Sequence, residues 1–123
     1  MSQILTKKSI AALLKPRGTD SNKSHFGHAL LVAGNTGKMG AAVLAAKACI
    51  RSGAGLTTVS VPGAERFIIQ TAVPEAMTAE REHIPLNFER YTAVGFGPGM
   101  GISEQDEVDF FELLQKTAKP VML

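Results

Sequence analysis

The amino-acid sequence predicts an α/β protein in which a parallel sheet is covered by helices. Three observations carry that prediction. His28 to Ala33 (HALLVA) runs without polar alternation, as a strand buried on both faces does. Leu56 to Val61 (LTTVSV) is β-branched and follows an alanine-rich helical stretch. Tyr91 to Phe96 (YTAVGF) runs directly into glycines and a second helical pattern. Strands that alternate with helices make βαβ units, and right-handed crossovers set their strands parallel.

The elements follow in order. Thr6 caps a short helix through Leu14 that Pro16 and Gly18 end, and Gly18 to Lys23 is a polar loop. The strand at His28–Ala33 gives way to glycines, and Gly40 to Ser52 is helical. Lys47 and Arg51 are the only charged stripe of that helix, so most of its circumference is expected to be buried. Gly53 and Gly55 stop it. Pro62 ends the LTTVSV strand, Ala64 to Thr71 forms a short helix, and Pro74 and Pro85 bracket a segment without a clear pattern. After the third strand come Gly97-Pro98-Gly99-Met100-Gly101. Ser103 and Asp106 make an S-x-x-D capping signal, and Glu104, Asp106 and Glu107 suit the positive end of the helix that follows. Phe110, Leu113 and Leu114 supply its apolar face, Lys116 lies near its end, and Lys119 to Leu123 opens a further strand.

A chain of 123 residues, 45% apolar and 20% charged, is sized for one domain with a buried core. A formal net charge of +2 carried by scattered basic residues predicts neither a nucleic-acid partner nor an anionic membrane surface. No apolar run approaches the roughly 20 residues that span a bilayer. With no recognisable signal segment either, a cytoplasmic location is expected. Leu5 to Ser24 is basic and poor in acids, as a mitochondrial presequence is, but Asp20 and the Pro16-Arg17-Gly18 turn point to an ordinary helix and loop. Cys49 is the single cysteine, which excludes an intrachain disulfide and a thiolate zinc cluster. His25, His28 and His83 lack the spacing and acidic neighbours of a metal site, so no metal ligand is expected on the chain.

The stretch Leu30 to Ala48 (LLVAGNTGKMGAAVLAAKA) has the outline of a phosphate-binding loop but not its residues. A G-x-x-x-x-G-K-[ST] loop would place its first glycine at Val32 and its magnesium-binding hydroxyl at Met39. The dinucleotide fingerprint G-x-G-x-x-G fails as well, since Gly34, Gly37 and Gly40 are spaced G-x-x-G-x-x-G. What remains is general: a strand ending in glycines feeds a helix N-terminus, whose N–H groups and dipole favour an anion. Ligands of such sheets sit outside the carboxyl ends of strands, where both glycine clusters fall.

Three ordered blocks now bear on identity: Lys23 to Pro62, then Pro74-Glu75-Ala76-Met77, then Val94 to Gly101 (VGFGPGMG). Together they resemble the ADP/ATP-dependent NAD(P)H-hydrate dehydratases, although the GPGxG block alone would be weak. The resemblance implies a ribokinase-like three-layer α/β/α fold with a mainly parallel sheet, apparently truncated, of which residues 1–123 are the N-terminal half of one domain. Ending at Leu123 would leave a terminal strand without its next connection and a sheet with an exposed edge.

The activity implied is repair of hydrated NADH and NADPH. ADP or ATP, with Mg2+, phosphorylates the added hydroxyl, and elimination of phosphate restores the reduced nicotinamide ring. Phosphate leaves readily where hydroxide does not, and preorganised donors stabilise the phosphoryl group in transfer. The resemblance further implies a homotetramer. It places Ala41 and Ala42, at the helix start, and Gly97, Gly99 and Gly101 against the hydrated dinucleotide. For Ala41 and Ala42 tight helix-to-sheet packing stays an equal alternative, and for the GPGMG turn a mere tight turn. Lys23, Lys38 and Glu75 carry no assigned role, and Asn35 and Thr36 either reach a ligand or complete the loop.

The family's acidic D-A-D-A-like stretch, its proline-histidine segment and its N-x-G-x-G-D-like anion hole with the catalytic aspartate are not in this sequence. No catalytic residue is therefore expected here, and the nucleotide-binding residues are unassigned. Some family members also carry a fused epimerase domain, which has no counterpart here. Two other function classes stay open: a ribokinase-like kinase for a small alcohol such as a vitamin precursor, and a noncatalytic dinucleotide-binding or assembly module.

Overall fold

Thr6 has extended backbone at the start of helix α1 (Lys7–Leu13); its hydroxyl accepts the Ser9 N–H while Ser9 Oγ accepts the Thr6 N–H. That reciprocal cap satisfies two donors a helix start leaves open. The computed structural model describes residues 4–83, 88–101 and 103–123. Along the chain follow strand β1 (His28–Val32), helix α2 (Met39–Arg51), strand β2 (Leu56–Val61), helix α3 (Arg66–Ala72), strand β3 (Met77–Glu80), strand β4 (Ala93–Phe96), helix α4 (Glu104–Lys116) and strand β5 (Val121–Met122). The Glu104, Asp106, Glu107 and Leu113 side chains, and Pro85, lie outside the described residues, so the expected capping of α4 is not placed.

The five strands form one sheet in the order β3-β2-β1-β4-β5, and every pairing is parallel. The chain moves outward from β1 through β2 to β3, then returns to lay β4 on the other side of β1. Register places Val32 between Ser60 and Phe96, so β1, β2 and β4 end level with one another. On one face, Ala42 and Ala46 of α2 and Ile69 of α3 pack without exposure against Val59 and Val61. Alanines at these positions let the α2 backbone lie close to the strands. On the other face, Leu30, Val32 and Val94 are buried with Phe88, Tyr91 and Met100. Phe96, on the Val94 side of β4, meets Phe110 of α4 with ring centroids 5.3 Å apart. Helices therefore lie on both faces of the sheet. No helix among the described residues is long and apolar enough to cross a membrane.

One segment left open is assigned and two expectations are corrected. The segment after Pro74 contains a strand, β3, held by parallel pairing of Thr58 to Val61 with Met77 to Glu80. The helix expected from Ala64 begins as a 3-10 turn (Gly63–Glu65) and becomes α-helical at Arg66. Only Met39, Ala42 and Ala46 of α2 are buried, and Leu44 is 71% exposed. Along α2, Ala45, Ala48, Cys49 and Ser52 line an apolar groove of about 620 Å³ together with Ala29, Leu31 and Gly95. For the same reason β1 is covered on its Leu30 and Val32 face and only half-covered at Ala29 and Leu31.

Candidate functional site

Where strand order reverses in a parallel sheet, the loops leaving the two central strands part and open a crevice at their carboxyl ends. Here the reversal lies between β1 and β4, and the loops are Ala33–Lys38 and Gly97–Gly101. They are bonded to each other and to the strands. The Gly34 N–H donates to Pro98 O at 2.7 Å, the Gly97 N–H to Val32 O at 3.0 Å, and the Met100 N–H closes the turn on Gly97 O at 3.1 Å. The Asn35 carbonyl accepts the Lys38 N–H at 2.8 Å and Asn35 Oδ1 accepts the Thr36 N–H at 2.8 Å, which winds the first loop into α2.

Lys38 occupies the cap position of α2 without a side-chain cap bond. Among the described residues no acceptor meets the N–H groups of Asn35, Met39, Gly40 or Gly99. Orphan donors at a helix start, added to the positive end of its dipole, suit a phosphate or carboxylate.

Close approach defines the floor of this mouth. Gly99 has φ +68°, and a Cβ there would stand 2.6 Å from Ala41 Cβ and 2.8 Å from Lys38 O. The GPGMG turn thus lies flat on the first turn of α2, which only glycine permits. A Cβ on Gly40 or Gly97 would instead meet nothing within 4 Å, so open space begins at these two residues.

The residues expected at the ligand are placed as follows. Gly97 and Gly101 are exposed at the mouth, and Ala41 and Gly99 touch in its floor. Ala42 is fully buried beneath Gly34, where its methyl packs the helix against the loop. Asn35 completes the loop turn, and Thr36 and Lys38 are exposed beside it. Glu75 and Lys23 are not brought to the mouth. Glu75 is exposed just before β3 and Lys23 opens a 3-10 turn before β1, both at the opposite, amino-terminal rim of the sheet. His28, the first residue of β1, is at that far rim too, with Nε2 2.8 Å from Thr58 Oγ1 and its ring edge-on to Tyr91. Burial and then the Arg90 charge hold its pKa below the usual histidine value. Cys49 is partly exposed, with Sγ 3.5 Å from Thr57 Oγ1.

One residue of the mouth has no sequence signal. Arg81 follows β3, and its Nη2 donates to the carbonyls of Ala33 and Gly34, each at 2.7 Å, and to Ser60 O at 3.3 Å. Its reach depends on β3 lying beside β2, which strand pairing decides.

With this geometry in place, likeness to known proteins is informative. The sequence family described as NAD(P)H-hydrate dehydratase matches residues 29–123. The ADP-dependent (S)-NAD(P)H-hydrate dehydratase of Listeria monocytogenes is 37% identical over 118 residues, which are 94% of this chain and 43% of that protein. A ribokinase-like superfamily protein of Enterococcus faecalis is structurally similar with a TM-score of 0.83 at 30% identity, over 95% of this chain and 43% of the other. The ADP/ATP-dependent NAD(P)H-hydrate dehydratase of Bacillus subtilis, co-crystallised with ATP and Mg2+, has a TM-score of 0.82 at 30% identity, over 94% of this chain and 43% of the other. The fold is ribokinase-like, and the chain spans less than half the length of these relatives.

Proposed function

The chain belongs to the NAD(P)H-hydrate dehydratase family, and on that premise we propose that the protein repairs hydrated NADH and NADPH. The terminal phosphoryl group of ADP or ATP passes to the hydroxyl oxygen that hydration added to the nicotinamide ring. The C–O bond then breaks, phosphate leaves with the electron pair, a ring proton is lost, and the double bond returns. Overall the reaction is that of a carbon–oxygen lyase.

The observation that carries the reading is the mouth between the β1 and β4 loops. Its unmatched N–H groups at Asn35, Met39, Gly40 and Gly99 are neutral donors suited to the dinucleotide's pyrophosphate. Open space at Gly40 and Gly97 admits the ligand against backbone, with Gly101 at the rim and Ala41 in the floor. Ala42 contributes by holding α2 against the sheet, so that the helix start faces the opening. These residues bind and orient; proton removal belongs to a base outside residues 1–123, and we assign this chain to the N-terminal half of one ribokinase-like domain.

Among the described residues no three His, Cys, Asp or Glu side chains stand together as metal ligands, so no ligand of Mg2+ is assigned here and no step is routed through it. A cytoplasmic location and a homotetramer belong to the same proposal.

The test supplies the complete protein, with the half that carries the base, together with hydrated NADPH, Mg2+ and either ADP or ATP, and follows recovery of the near-ultraviolet absorbance of reduced nicotinamide. Recovery with a nucleotide supports the reading; none with either sinks it. ATP consumed on a small alcohol while hydrated NADPH is untouched would identify a kinase, and NADPH binding without turnover a binding module.

A further inference from the structure

A trans peptide holds its C=O and its N–H in one plane, pointing in opposite directions. Gly34, with φ +76°, lies between two such planes and turns both of its flanking carbonyls toward the same side. On that side stands Arg81, whose Nη2 donates to Ala33 O and to Gly34 O at 2.7 Å each. The N–H of each peptide must then face away from Arg81. The Gly34 N–H does, and meets Pro98 O of the GPGMG turn at 2.7 Å. The Asn35 N–H does also, and no acceptor among the described residues meets it.

We propose that Arg81 is the positioning residue of the mouth: by clamping the Ala33 and Gly34 carbonyls it sets the Asn35 N–H toward the ligand and locks the β1 loop onto the GPGMG turn. The third bond, to Ser60 O at 3.3 Å, ties the clamp to the carboxyl end of β2. Arginine suits this task because its planar guanidinium holds a fixed orientation, whereas a lysine ammonium is a point donor on a flexible stem. Arg81 touches no ligand in this scheme and acts through the loop. The inference rests on the dinucleotide-binding reading of the mouth.

The test measures NADPH affinity, by the fluorescence of its reduced nicotinamide, together with thermal unfolding, in wild type, Arg81→Gln, Arg81→Lys and Ile69→Val. Ile69 is a fully buried residue of α3 whose side chain takes no part in the hydrogen bonds of the mouth, so it controls for lost stability. Arg81→Gln is expected to bind NADPH at least about tenfold more weakly, the scale of one lost hydrogen bond from a charged group. Arg81→Lys should recover part of that loss, and Ile69→Val should lower Tm with affinity within about twofold of wild type. Wild-type affinity in a folded Arg81→Gln variant, or an Arg81→Lys variant no better than Arg81→Gln, would overturn the proposal. Should Arg81→Gln not fold, Arg81→Lys decides: affinity between about twofold and tenfold below wild type supports positioning, and unchanged affinity refutes it. If wild type binds no NADPH, the functional reading fails and amide exchange decides the positioning role. Faster exchange at Gly34 and Gly97 in Arg81→Lys, by about tenfold or more, supports the clamp, and unchanged exchange removes it.

Discussion

Gly40→Ala separates ligand from scaffold because the two readings give effects of opposite sign. Gly40 is the second residue of α2, it is exposed, and a Cβ there meets nothing within 4 Å. For the scaffold alone the substitution is favourable. Alanine in place of glycine within a helix contributes about 0.5–1 kcal/mol, by reducing the freedom of the unfolded chain. In a domain of this size that raises Tm by roughly 2–6 °C. For a ligand resting on the helix start it is unfavourable, because the methyl occupies the space through which the ligand meets the backbone. Overpacking of that kind costs about 1–3 kcal/mol, which is roughly 5- to 150-fold in affinity. Thermal unfolding and an NADPH fluorescence titration on the same preparation read both effects. A higher Tm with weaker binding is the expected result. A higher Tm with unchanged affinity would show that the ligand does not approach Gly40, and a lower Tm would show that Gly40 is not an ordinary helical residue.

Three more expectations follow from the same structure. Gly99→Val should weaken NADPH binding and also lower Tm, since the new side chain collides with Ala41 and Lys38 at a position of φ +68° and costs about 2–4 kcal/mol; a variant of wild-type Tm would refute the close approach. Gly55→Ala should be more damaging still, because its Cβ would fall 1.7 Å from Lys23 O, where backbone must move; urea unfolding that shifts by less than about 1 kcal/mol would refute it. His28 has its pKa held down by burial and then by Arg90, so the native state disfavours the charged ring and the unfolded chain binds the extra proton first. Stability from this residue is therefore present above the ordinary histidine value of about 6.5 and is lost as pH falls from there through the lower folded value. The slope of the urea midpoint across that range should shrink in His28→Gln, and an unaltered slope would assign it to another group.

Much of the fold was legible because its signals are local. The unbroken run at β1, the β-branched run at β2 and the glycines after β1 and β4 depend only on residues near in sequence, and they put both glycine clusters at the carboxyl ends of the central strands. β3 was not legible. Its four residues MTAE alternate apolar and polar, but over too short a run to mark a strand, and pairing with β2 is what makes them one. The circumference of α2 was misjudged for a related reason: its apolar composition is real, but burial requires a covering element, and along Ala45, Ala48 and Cys49 there is a groove instead. Arg81 was invisible, because a guanidinium reaching carbonyls at the ends of two other strands leaves no trace in spacing.

By itself the sequence determined the α/β class, the strand-glycine-helix unit and the three blocks that match the dehydratase family, since apolar pattern, turn chemistry and motif order are properties of the chain alone. Only the tertiary structure decided what each small residue is for. Gly40 and Ala42 stand two residues apart in one helix, and composition cannot tell them apart. Because the helix turns about 100° per residue, one of them faces open space and the other lies in the core under Gly34.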